Sequence, residues 1–241
     1  YTLNEHAPYV ELLRELLQAK DTFLLSKKDE RLEKRLSFVL KFTDDYFSFK
    51  HGRKPAISSE LLLQALLKTL SELEINYVVR GELPITLYRD EVRALSSIHI
   101  EIDTLSKAKI REIKLAFQKS LPKKLRVASA DNLFQVPENK APIRISLATQ
   151  SEKLPRVREI RIDRVKCRIP TLEDSILECL NRYEESKSLL LLEDLQSILK
   201  APHQFDLAYL LPKLLEVGVP ELVTLPTEAK SILKQMARNQ A

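Results

Sequence analysis

Glycine is scarce: the 241 residues hold only three. That argues against a Gly-rich phosphate loop and against a turn-rich all-β fold. Cysteine appears twice, as Cys167 and Cys179, which is no disulfide framework. Cys167 falls in an expected strand and Cys179 on an expected helix face. Each reads as a small apolar residue, and a reducing, cytoplasmic setting fits. No apolar run approaches the roughly 18 residues of a membrane-spanning helix. The four histidines, His6, His51, His99 and His203, show no metal-ligand spacing. There is no Ser or Cys nucleophile in a recognisable elbow and no paired His and Cys motif.

What is present is ordinary for a globular protein: 44% hydrophobic and 30% charged residues. A net charge of +5 permits contact with nucleic acid or an acidic partner. It requires neither, because both signs are interspersed along most of the chain.

Periodicity predicts helices at both ends and a mixed middle. Apolar residues at helical spacing run over Ala7–Leu25 and again over Lys27–Phe49, which reads as a helical hairpin. Gly52 and Pro55 end it. A helix capped by Ser58 or Ser59 reaches about Leu73 and is apolar on most sides. Tyr77–Val79 reads as a strand and Leu83–Arg89 as a short helix. Ser97–Asp103 alternates strictly, with Ile98, Ile100 and Ile102 on one face and His99, Glu101 and Asp103 on the other. A helix follows over Leu105–Leu121. Strands are expected at Asn132–Val136, Pro142–Leu147, Arg158–Ile162 and Val165–Ile169. Helices are expected at Thr171–Glu184, Leu189–Lys200, Phe205–Val217 and Thr227–Ala237. The order implies an α+β fold: a mixed sheet with helical additions at both ends. The expected units are a hairpin over 1–56, an α/β core over 57–170 and a helical region over 171–241.

The segment Tyr77-Val78-Val79-Arg80-Gly81-Glu82, followed by Arg93-Ala94-Leu95-Ser96-Ser97-Ile98-His99, carries a resemblance. So do Pro170–Leu177 and Glu193–Leu199 further on. Together they resemble the nucleotidyltransferase superfamily, in its toxin-type and uncharacterised prokaryotic branch, over roughly residues 57 to 220. The resemblance implies a strand ending at a small-residue turn, then Asp-x-Asp on the next strand holding Mg²⁺. Matching Arg93 to the family arginine puts Ser97 and His99 at the two Asp positions. The third carboxylate position falls on Ser146, with Arg144 on the same face. Serine is a poor anchor for Mg²⁺, and imidazole prefers softer metals. Glu82 in the turn would set a negative charge where phosphates approach. These departures imply a catalytically degenerate member that acts as a binding or scaffold protein.

Alternatives stay open. Glu101 and Asp103 are a carboxylate pair on one strand face, four residues late, and Glu82 could join them in a displaced Mg²⁺ site. The chain would then be an active transferase, moving a nucleotide onto a protein or RNA acceptor. The preferred reading is a half-exposed strand, since any such strand alternates in this way. The densest basic run places Arg164, Lys166 and Arg168 on one face of an expected hairpin. That ribbon could bind phosphates or an acidic partner, giving weak nucleic-acid binding without aromatics to stack bases. Residues 23 to 49 hold six of the fifteen Phe and Tyr residues. Most are expected to be core, while Tyr46, Phe47 and Phe49 are candidates for an interface with a protein partner or a second copy. No membrane contact is expected.

Overall fold

Helix α1 runs unbroken from Pro8 to His51, where a hairpin was expected. The correction has a local cause. The join expected at Ser26, between Leu25 and Lys27, contains neither Gly nor Pro, and good helix formers follow it. Beyond that point two contacts anchor α1 to the hairpin described below: Arg158 Nε donates to Asp29, and the Arg161 N–H donates to Glu33 at 2.9 Å. The helix stops where Gly52 takes φ +64°, a left-handed conformation that glycine adopts without steric cost.

A computed structural model describes residues 8–102, 106–130, 133–136, 144–149, 155–201 and 205–217. Side chains are described for 29–102, 106–128, 134, 136, 147, 155–201 and 205–214. After α1 come α2 (Ser59–Glu72), β1 (Tyr77–Arg80), α3 (Glu82–Tyr88), β2 (Ser97–Ile102) and α4 (Lys107–Ser120). Then follow β3 (Ala128–Ala130), β4 (Leu133–Gln135), β5 (Arg144–Thr149), β6 (Val157–Ile162) and β7 (Val165–Pro170). Helices α5 (Leu172–Ser186), α6 (Leu189–Lys200) and α7 (Leu207–Val217) complete the described chain. The helix expected at Thr227–Ala237 lies outside the described residues.

The fold is α+β. Five strands form one sheet in the order β1-β2-β5-β4-β3, with β2 and β5 parallel and the other pairs antiparallel. β6 and β7 form a separate hairpin closed at Asp163 and Arg164. Tyr77 Oη donates to the Lys166 carbonyl at 2.6 Å and Tyr88 Oη to the Pro170 carbonyl at 3.0 Å, tying that hairpin to β1 and α3.

The strand alternation of β2 is met: Ile98, Ile100 and Ile102 are buried, while Ser97, His99 and Glu101 are half-buried on the opposite face. The buried face joins a single core with Leu36, Val39 and Leu40 of α1 and Leu62, Leu63, Leu66, Leu67 and Leu70 of α2. Each such side chain stabilises the fold by about 1.5–3 kcal/mol relative to exposure. The cap expected at Ser58 or Ser59 is Ser58, and two further helix starts carry polar caps outside that expectation. Ser58 accepts from the Leu61 N–H, Ser106 from Lys109 and Thr171 from Asp174. Both cysteines are buried, and burial pushes each thiol up to about 12.

Candidate functional site

The half-buried face of β2 opens onto a cleft of about 440 Å³ between the sheet and α5. Gly81 starts it. Its φ of +74° with ψ −133° is a conformation essentially reserved for glycine. A Cβ there would sit 3.6 Å from both Arg182 Nη1 and the His99 Cβ, so backbone conformation rather than crowding demands the glycine.

Arg80 dominates the cleft. Its Nη1 donates to Glu101 at 2.9 Å and its Nε to Glu178 at 3.0 Å. Glu178 also accepts from the Gly81 N–H at 3.1 Å. All three side chains are largely enclosed, with 16%, 13% and 10% exposed for Arg80, Glu101 and Glu178. Burial works against the charge of Arg80, but the two carboxylates outweigh it and raise its pKa. Glu82 is spent differently. Its carboxylate accepts from the Ser96 N–H at 2.8 Å, the Ser96 hydroxyl at 2.6 Å and the Ser97 N–H at 3.4 Å. It braces the loop that enters β2.

The residues expected at a displaced metal site are thus partly brought together. Glu82 and Glu101 line one cleft, but each is engaged with a neighbour. Asp103 lies outside the described residues. At the positions the resemblance assigns to Asp, Ser97 and His99 stand on the cleft face. Ser146 pairs with His99 in backbone register, as the third position should. Magnesium requires a near-octahedral set of oxygens at roughly 2.1 Å. Here the Glu101 carboxylate faces a guanidinium, Ser97 offers a neutral hydroxyl and His99 an imidazole. Among the described residues no three His, Cys, Asp or Glu side chains group to hold a metal. The described donor set does not fit Mg²⁺.

No family model matches the chain, and no curated protein matches it. Solved structures similar to it include proteins whose descriptions name a nucleotidyltransferase or a likeness to one. One is an antigenic nucleotidyltransferase-like protein from Paracoccidioides brasiliensis, 15% identical, covering 77% of this chain and 90% of that one, with a TM-score of 0.44. Another is the antibiotic-resistance factor ANT(2'')-Ia, also 15% identical, covering 75% and 91%, with a TM-score of 0.39.

A second depression, about 860 Å³, adjoins the cleft at Ser97. Phe42, Tyr46 and Phe47 of α1 form one wall and Leu190 of α6 contributes to it. Below them Arg89 and Arg93 converge on Asp194, whose side chain is 1% exposed. Arg93, the match to the family arginine, therefore has a structural partner here. Of the aromatic candidates, Tyr46 and Phe49 are exposed, while Phe47 is half-buried between Tyr46 (5.2 Å, edge-on) and His51 (6.0 Å, stacked). The basic ribbon is less uniform than its sequence. Lys166 pairs with Glu159 at 2.9 Å, and Arg168 stands opposite Glu159 in register, with Arg164 in the exposed turn.

Sequence reasoning did not single out Glu178 or Arg182, and it met Asp194 only as part of the segment Glu193–Leu199 that carries the resemblance. Glu178 and Asp194 carried a usable signal, since each is a carboxylate set among the apolar residues of a buried helix. Such a residue requires a partner.

His99 allows one test of the cleft. Burial lowers its pKa below the ordinary 6.5, with Arg80 and Arg182 acting in the same sense and Glu101 and Glu178 opposing. A histidine depressed in the folded state takes up its proton first in the unfolded chain. Stability is therefore expected to fall as pH drops below about 6.5, levelling off below the folded-state pKa. Thermal melts of wild type and His99→Gln from about pH 8 to pH 5 check this. Parallel curves for the two proteins would assign the slope to other groups.

Proposed function

We propose that this chain is a nucleotidyltransferase-like protein without metal-dependent transfer, and that it works by binding another protein surface. One observation carries the reading. Arg80 engages two carboxylates of the cleft, Glu101 of β2 at 2.9 Å and Glu178 of α5 at 3.0 Å. A fixed guanidinium at that place competes directly with any divalent cation. Glu82, the other acidic candidate among the described residues, is committed to Ser96 and Ser97. Binding is supported by the apolar side chains left exposed on α1 and α6, since exposed patches of this kind mark interaction sites. Among the described residues no helix is long and apolar enough to cross a membrane, so a bilayer-spanning role finds no support there.

Calorimetric titration with each of the four nucleoside triphosphates, with and without Mg²⁺, tests the loss of transfer. No Mg²⁺-dependent binding in the micromolar range (about −8 kcal/mol) is expected. Micromolar binding that needs Mg²⁺ and disappears in Glu101→Ala would make the chain an enzyme with a displaced acidic site.

A further inference from the structure

Helix α1 carries two apolar faces, and only one of them is used by the core. The inner face presents Leu32, Leu36, Val39 and Leu40, all buried. The outer face presents Phe38, Phe42, Tyr46 and Phe49 at spacings of four, four and three residues, which is one side of a helix. These four are 56%, 37%, 44% and 91% exposed. Phe38 and Phe42 already stack on each other, with ring centroids 6.4 Å apart. An amphipathic surface helix ordinarily turns charge to the solvent on its outer side. This helix turns rings.

We infer that the outer face of α1 is a self-association surface, on which a second copy of this chain packs its own α1 antiparallel across a twofold axis. The inference deepens the binding reading above and rests on it. Charge supports this occupant. Lys41 and Asp45 are exposed and lie one turn apart along one edge of the ring stripe. A twofold axis passing between Phe42 and Tyr46 sets Lys41 of each copy across from Asp45 of the other. The same operation sets Phe38 beside Phe49. The stripe is therefore complementary to itself in charge, as an isologous contact requires.

The area is also adequate. At roughly 200 Å² for each ring side chain, the four offer about 450 Å² per copy, or about 900 Å² for a pair. Leu190, 50% exposed at the start of α6, extends the patch, since it lines the same depression as Phe42 and Tyr46. The total approaches the ~1,200 Å² at which specific interfaces begin.

Sedimentation velocity on the full chain from about 1 to 100 µM is the test, and a dimer is expected within that range. Lys41→Glu and Asp45→Lys should each weaken it by about tenfold or more, because each sets like charges across the axis twice. The double variant Lys41→Glu/Asp45→Lys should return to within about threefold of wild type. Phe42→Glu should give a monomer whose melting temperature stays near that of wild type. A wild type that is monomeric throughout overturns the inference. So does a dimer indifferent to both single charge reversals. The two readings fail separately. A monomer that ignores Mg²⁺-nucleotide sinks self-association alone, and a dimer that binds it sinks the loss of transfer alone.

Discussion

Asp194→Ala is expected to lower folding stability by about 3–5 kcal/mol, near the top of the range for single substitutions. For a chain of this size that is a fall in melting temperature of roughly 10 °C. The carboxylate has 1% of its side chain exposed and faces two guanidinium groups, Arg89 and Arg93, which are 11% and 23% exposed. Burial outweighs those two cations and holds the Asp194 pKa above its ordinary value. The ion pair therefore offsets its own desolvation only in part. Breaking it is a different matter, because two enclosed cations are then left facing each other without an anion. The loss would also loosen α6 from the loop before β2, where the Asp90 N–H donates to Ser197 Oγ at 3.2 Å. Asp194→Asn keeps the shape and removes the charge, so it should cost nearly as much. Urea unfolding of both variants reads the effect. A cost below about 1 kcal/mol would mean that Arg89 and Arg93 reach solvent when released.

Arg80→Ala should be almost as damaging, at about 3 kcal/mol. It leaves Glu101 and Glu178 enclosed, mutually repelling and without the guanidinium that bonds them, with Arg182 the other cation lining the cleft. Glu178 keeps only its bond from the Gly81 N–H. The decisive measurement is a double-mutant cycle. Arg80→Ala/Glu178→Gln should recover about half of the loss, because one of the two stranded charges is removed. Strict additivity of the two single changes would show that Arg80 matters through packing rather than through its carboxylates. The cycle bears on function as well. If Arg80 is what bars a divalent cation from the cleft, Arg80→Ala should bind Mg²⁺ more tightly than wild type by calorimetry, whether or not transfer appears.

Most of the β-sheet and helical pattern was legible because it is local. The alternation of Ile98, Ile100 and Ile102 determines which face of β2 is buried, since side chains on a strand alternate by geometry. Ser58 marks a helix start because a side-chain oxygen satisfies a free backbone N–H there; Ser106 and Thr171 do the same but fall inside the helices expected from the pattern. The turn at Gly81 was legible for the same reason, although its neighbours were not. β3 passed unread: Ala128-Ser129-Ala130 has no alternation to detect, and it is a strand only by pairing with β4. The break expected inside α1 failed because apolar stripes set the faces of a helix without setting its length. Where no Gly or Pro intervenes, nothing local ends the helix.

The candidate site divides along the same line. The sequence by itself placed Ser97, His99 and Glu101 on one strand face and made Glu82 their neighbour across a turn. It also concentrated rings between Phe38 and Phe49. Only the tertiary structure decided what those groups do. Arg80 meets Glu178 across 98 residues and Arg89 meets Asp194 across 105. No local pattern encodes such pairings, because charge partners are chosen by which elements the core brings together. The same holds for the rings of α1. Helical periodicity allows two apolar stripes, and the packing of α2, α3 and β6 against one of them leaves the other facing solvent.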